Sequence, residues 1–291
     1  MKIELVSIHF WIIHIGVIFG FLGGVFYRVS NILRGTLVVA GEPIETRWAK
    51  FWFLFRRFFR NIFSKRLGKI LCVFIADSLV HVRLFKDNRF KWFIHTCIFW
   101  GLALLFLLSI LSGFAVEIVP AFGYEEGSCG FIDALADKDF WATALLNEWL
   151  NIIVLFGIVL AFINGFISKK NKGLFMFNDI FLIIFIAVIL ISGWFTESTR
   201  YIIEHTPRYI ARMGYLGYYL SRLLRFVFPM VDEPGWIASY KVFWHIHVSV
   251  IWLSFLYIPF SKFSHMFFSP VAAVLNKFDK INDLPREDRD E

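Results

Sequence analysis

The 291 residues are 58% hydrophobic, with a mean hydropathy of +0.65 and 37 Phe. A soluble domain of this size is about 45–50% apolar, so the excess excludes one aqueous core and makes a bilayer the natural solvent. The net charge of +7 does not point to nucleic acid, because the basic residues flank apolar spans and read as membrane orientation.

Five segments are long and apolar enough to span about 30 Å of hydrocarbon at about 1.5 Å per residue. They run over Ile3–Tyr27, Phe93–Val116, Trp149–Ile167, Ile180–Phe195 and Val242–Phe260. The first carries neither a basic n-region nor a small-residue cleavage site and reads as a retained helix. The predicted fold is therefore an all-α integral membrane bundle of five transmembrane helices, with amphipathic interfacial helices. Loop charge sets its direction: Arg28–Lys91 holds 14 Lys/Arg, Lys169–Lys172 holds 3 and the tail from Lys262 holds 5. The other eight are Lys2, Lys138, Arg200, Arg208, Arg212, Arg222, Arg225 and Lys241. The positive-inside rule then puts the N-terminus outside and the C-terminus in the cytoplasm of a multi-pass cell-membrane protein. Residues 1–270 read as one membrane domain and 271–291 as a cytoplasmic tail. Within the domain, 28–91 is a cytoplasmic amphipathic connection and 199–235 an outer-side interfacial segment.

Two connections are more than linkers. Phe51–Phe63 (FWFLFRRFFRNIF) mixes Arg with aromatics and Leu67–Leu84 has helical periodicity, so both suit the cytoplasmic interface or a partner surface. On the other side, Tyr201–Phe228 is rich in Tyr and Arg, is interrupted by Gly214 and Gly217, and reads as interfacial helices over the outer mouth. Three scattered cysteines, Cys72, Cys97 and Cys129, form no CxxC pair. An iron–sulfur cluster, structural zinc or c-type haem within this chain is not expected.

Eight histidines carry the chemistry, because ionisable groups in or beside spans are costly. Bis-imidazole haem ligation needs only one histidine per facing helix, and the bundle supplies the apolar slot. At about 100° per residue, His247 and His265 return to one helix face, roughly 27 Å apart along the axis. His245 points about 200° away from His247. The alternative for His247 is an interhelical hydrogen bond. His95 opens the second span and His265 closes the fifth, both on the cytoplasmic side, which makes them axial partners of one haem. The partner of His247 is left to the first helix, His14 or His9, with His14 favoured because it lies deeper in the apolar run. His205 is a third candidate in the outer loop. His81, four residues after Asp77, reads as structural.

The last helix reads His247, eleven residues, Pro259-Phe260-Ser261-Lys262, then His265. This resembles the haem-ligating fifth helix of the nitrate reductase gamma-subunit family of membrane cytochromes b. Arg89–His95, continuing to Ile98-Phe99-Trp100-Gly101, is similar to relatives serving heterodisulfide reductase and sulfite-reduction complexes. So is Ser192-Gly193-Trp194-Phe195-Thr196-Glu197-Ser198-Thr199-Arg200, against an SGF-x₂-E-x₂-R pattern. The likeness covers roughly Ile3 to Pro270, without the loop Asn31–Leu84. It implies that His95 and His265 hold a cytoplasmic-side haem b and that His247 holds a second, outer one. At Leu105 the chain departs from the nitrate reductase branch, which has the outer haem's other histidine there. It also implies exchange of electrons between membrane menaquinone, or a similar quinone, and a cytoplasmic iron–sulfur subunit. A multihaem cytochrome c and further membrane subunits complete the expected partners.

Near the outer boundary, Glu197 and Arg200 stand i, i+3 on one helix face, and Lys241 enters the fifth span at similar depth. Glu197 suits a quinol proton, and Arg200 or Lys241 a quinone oxygen; the competing reading is an ion pair that anchors the helix. The expected function is a haem b electron-transfer subunit of an oxidoreductase complex, not catalytic alone on a soluble substrate. The rival class is a non-redox anchor or transporter with histidines as polar contacts, although no inverted repeat or paired broken helices support a transporter.

Overall fold

A computed structural model of the chain describes residues 8–39, 42–63, 67–167, 177–261, 264 and 268. His265, Lys262, the Lys169–Lys172 turn and the 271–291 tail lie outside the described residues. In chain order the helices are α1 (Ile8–Ile32), α2 (Arg47–Ile62), α3 (Leu67–Val73), α4 (Val82–Asp87), α5 (Arg89–Gly113), α6 (Gly130–Ala136), α7 (Trp141–Ile167), α8 (Phe177–Ile203), α9 (Arg208–Ala211), α10 (Tyr215–Val227) and α11 (Glu233–Tyr257). A two-residue antiparallel pairing, Val38–Val39 with Glu42–Pro43, is the sheet content of the described residues.

Among the described residues, five helices are long and apolar enough to cross a membrane: Ile8–Ile32, Arg89–Phe122, Trp141–Gly165, Phe181–Ile203 and Glu233–Phe260. Their outward surfaces carry exposed Ile18, Phe19, Val159 and Ile184, as lipid contact requires. Every span outruns its apolar segment at one end at least, and three do so by eight residues or more. α7 begins at Trp141 rather than Trp149, α8 continues past Phe195 to Ile203, and α11 begins at Glu233 rather than Val242. Backbone hydrogen bonding is indifferent to side-chain polarity, and the extra turns hold polar groups, such as the fully buried Glu148, Ser198 and Thr199, turned into the protein. Gly214 stands at the break between α9 and α10, as the N-cap residue of α10, whereas Gly217 lies inside α10 and interrupts nothing.

The chain divides into two compact units. In the unit built on Phe90–Ile251, α5 and α7 approach at two glycines. A Cβ on Gly101 would run into Val154, with Leu150 O and Val154 N at 3.5 Å. One on Gly157 would meet the Ile98 side chain at 2.8 Å and Ile98 N at 3.2 Å. Near the end of α8, Ile202 and Ile203 pack with Trp236 and Tyr240 of α11 against Leu224 of α10. Arg225 of α10 donates to Ile202 O at 2.9 Å, satisfying a carbonyl that the helix end would otherwise leave open.

The other unit holds Val6–Arg89 and the chain from Trp252 onward. Here α1 packs on the end of α11 through its glycines, with Leu256 against Gly20 and Pro259 and Phe260 against Gly24. The beginning of α2 is fastened to the end of α1. Buried Lys50 donates to Gly35 O at 2.9 Å and Leu33 O at 3.5 Å, and Arg47 donates to Ser30 Oγ at 3.2 Å.

Candidate functional site

His247 is half-buried on α11 and faces α8. Its Nδ1 lies 2.9 Å from Ser192 Oγ, which is itself 3.0 Å from Ile189 O one turn earlier. A hydroxyl has one proton. If it goes to the Ile189 carbonyl, the Ser192 oxygen accepts from Nδ1–H and both contacts are satisfied together. That tautomer leaves the Nε2 lone pair for a metal, the usual arrangement for ligating histidine. Gly193 makes the approach possible, because a Cβ there would stand 3.2 Å from His247 Cε1. The Ser192-Gly193 pair thus has a physical meaning in the sequence: one residue orients the ring and the next makes room for it.

His245, two positions earlier, is exposed, and its Nδ1 lies 2.6 Å from Lys241 O of the preceding turn. His95 is half-buried and stacked on Phe99 at 5.8 Å. The face of α5 that meets α7 carries Ile98 and Gly101, and His95 stands about 60° around the helix from the first and about 120° from the second. On α1, His9 is exposed. His14 is half-buried among Phe10, Trp11 and Trp252, and Trp252 Nε1 donates to its Nδ1 at 3.3 Å. An indole is a donor only, so in this geometry the His14 proton sits on Nε2, opposite to the tautomer set up at His247. His205 is exposed with φ 50°. His81 also has positive φ, and its Nδ1 lies 3.2 Å from Leu79 O, while Asp77 pairs with Arg83 at 3.3 Å.

About one helical turn from the Gly193 contact, toward the end of α8, stands a polar cluster. Glu197 accepts from Tyr201 Oη at 3.0 Å. It packs against Gly214 and Gly217, where an added Cβ would come within 2.8 Å of Oε1 and 2.7 Å of Oε2 respectively. Beside it is Glu148 of α7, fully buried, whose Oε1 accepts from Gly217 N at 3.3 Å. A carboxylate from another helix therefore caps α10, whose own N-cap residue supplies no side chain. The Trp194 indole is directed toward Glu148. Among the described residues, Glu148 Oε2 and Trp194 Nε1 are nonetheless the buried side-chain polar atoms left without a hydrogen bond. An apolar-run criterion stops at Glu148 and so passes over it. Its signal in the sequence is a lone acid between Asn147 and Asn151 ahead of an apolar stretch.

Arg200 turns away from Glu197 into a different set of partners. It meets Asp139 in a two-pronged pair at 3.1 and 2.7 Å and Glu204 at 2.7 Å, with its guanidinium 4.8 Å from the Tyr201 ring centre. These contacts fit the anchoring role, tying α8 to the entry of α7. Lys241 is exposed, and no hydrogen bond or ion pair joins its side chain to Glu197 or Arg200 among the described residues.

The described residues thus form a helical membrane bundle with an imidazole of α11 facing α8 and two acids, Glu148 and Glu197, nearby, and sequence comparison gives the family. Residues 132–281 match the nitrate reductase gamma subunit model, and the chain belongs to that family. It is similar to a subunit of the dihydromethanophenazine:CoB–CoM heterodisulfide reductase of Methanosarcina acetivorans, 28% identical over 72% of this chain and 67% of that one. The corresponding subunit of Methanosarcina thermophila is 23% identical over 88% and 87% of the two chains. An Hdr-like menaquinol oxidoreductase cytochrome b-like subunit of Archaeoglobus profundus is 24% identical over 81% and 64%. No solved structure matches the chain.

Proposed function

We propose that the chain is a haem b subunit that carries electrons between a membrane quinone, menaquinone or one like it, and a cytoplasmic iron–sulfur subunit of the heterodisulfide reductase kind. The observation that carries the reading is His247, held at Nδ1 by Ser192 with room made by Gly193. Support for the second centre comes from sequence, where His95 and His265 fill the family's ligand positions. The other ligand of the His247 haem is assigned to α1 on sequence grounds. The Trp252 contact engages Nδ1 of His14 as an acceptor, which favours His9 unless that ring turns over. Haem b, when bound, supplies a one-electron carrier on each side of the bilayer.

The chain's own residues handle protons. Oxidation of a quinol releases two protons and two electrons, and the reverse reaction takes them up. Glu148 and Glu197 are placed to exchange those protons beside the His247 level, and the Trp194 N–H to hold a quinone oxygen. Arg200 fastens the site through Asp139 and Glu204, and Lys241 is the candidate for an entering quinone oxygen at the boundary. In this reading the subunit exchanges electrons with partners, the iron–sulfur subunit first, with a multihaem cytochrome c and further membrane subunits in the same complex.

The purified oxidised protein, one sample reduced with dithionite and another with a menaquinol analogue, tests this. A b-type α-band with two irons per chain is expected, both centres reducible by the quinol. A protein without that band refutes the haem reading, and one iron per chain removes one centre.

A further inference from the structure

Helix α2 lies in the connection that the family likeness does not cover, and the haem and quinone reading does not use it. Its position is fixed by the contacts of Lys50 and Arg47 with the last turn of α1 and the residues just beyond. α1 is a membrane span, so its end marks the edge of the hydrocarbon, and α2 starts at headgroup level. Its surface divides by phase. Trp48, Trp52, Phe55 and Phe59 fall within about 60° of one another on the helix, are all exposed, and touch ring to ring along the helix. Buried Lys50 marks the side turned to the protein.

Between these two faces lies a cleft of about 510 Å³, lined by Ile44, Ala49, Trp52 and Phe53 with the three arginines Arg56, Arg57 and Arg60. Arg57 sits over the Phe53 ring at 5.6 Å. Among the described residues no acidic side chain lines the cleft, and none occurs in α2. Guanidinium groups match phosphate oxygens in bidentate geometry. The aromatic row next to them suits the acyl–headgroup boundary, where amphipathic helices with a basic flank bind.

We propose that α2 is an anionic-phospholipid site. Its aromatic row lies in the cytoplasmic leaflet, and Arg56, Arg57 and Arg60 hold the phosphate of one lipid headgroup in the cleft at the foot of α1. One immersion depth serves both faces at once, which a docked soluble protein would not require. The proposal stands independently of the haem reading, since its site shares no residue with the histidines or the acid pair.

The test uses full-length protein in nanodiscs of phosphatidylcholine with and without phosphatidylglycerol, and counts lipids retained per chain by native mass spectrometry. The wild type is expected to retain phosphatidylglycerol in preference to phosphatidylcholine. The variant R56Q/R57Q/R60Q is expected to lose that preference by roughly fivefold per arginine, on the order of a hundredfold in total. If the triple variant does not assemble, R56Q and R60Q singly should each cost about fivefold. Equal retention by wild type and variants overturns the proposal. So does elution of the retained lipid by inorganic phosphate at matched concentration, which would make the cleft a free-anion site. Unchanged lipid retention together with loss of the iron–sulfur subunit would overturn it too, by assigning the face to a protein partner.

Discussion

Replacing Ser192 by Ala removes a single oxygen 2.9 Å from His247 Nδ1 and leaves the ligand itself in place. The ring loses its acceptor and is left with the Ile189 carbonyl, which also lies within its reach. A lost hydrogen bond that leaves a buried donor short costs about 1–3 kcal/mol. Outer-shell partners of metal-bound histidine are worth roughly 10–100-fold in affinity, or about 1.4–2.7 kcal/mol. Because the Ile189 carbonyl offers partial compensation, the expected loss lies near the lower end, about tenfold in haem retention, with a shifted midpoint potential. Haem per chain by pyridine haemochrome, followed through a dilution series, and a redox titration of the α-band are the assays. Ser192→Thr keeps the hydroxyl and should restore both readings. If S192A holds haem at the wild-type potential while His247→Ala loses a centre, the tautomer argument fails and Ser192 merely packs against the ring.

Glu148→Gln and Glu197→Gln should each slow quinol-driven haem reduction by about 10²–10⁴-fold, with dithionite-reduced spectra unchanged; a normal stopped-flow rate in both variants rules the pair out of proton transfer. His9→Ala should remove one iron per chain and His14→Ala should not, by iron analysis of purified protein; the reverse result shows that His14 turns over to bind. Gly101→Val drives a branched side chain into Val154 and the α7 backbone, and overpacking of that kind costs about 1–3 kcal/mol, read as a lower thermal midpoint in detergent. Asp139→Asn should weaken the tie between α8 and the start of α7 by roughly 1–3 kcal/mol in the same assay, leaving the haem spectra unaltered. An unchanged midpoint in that variant shows that Glu204 alone holds Arg200.

The five spans are legible because twenty apolar residues have few other fates than a bilayer. Their ends are not, since hydropathy tracks side chains and helices follow backbone hydrogen bonds. Hydropathy therefore starts a span at Trp149 where the helix starts at Trp141, and Glu148 disappears between the two. Helical phase suffices to separate His245 from His247, because about 200° on one helix needs no tertiary knowledge. It cannot reveal that Trp252 donates to His14, a contact between residues 238 positions apart. The i, i+3 spacing puts Glu197 and Arg200 on one face, yet their tips diverge, toward α7 and α10 for one and toward Asp139 and Glu204 for the other. Spacing fixes where a side chain starts, while long flexible chains choose partners that sequence does not name. Gly217 reads as a break for the same reason: nothing local shows that the Glu197 carboxylate comes to occupy the space where its side chain would be.

The glycines that join α5 to α7 bear on how far apart the two helices stand. At Gly101 and Gly157 the facing helix fills the room that a side chain would need, with Val154 over the first and Ile98 and Cys97 over the second. The helix carrying His95 and the helix carrying Glu148 are therefore held at a spacing that any larger residue at either glycine would widen.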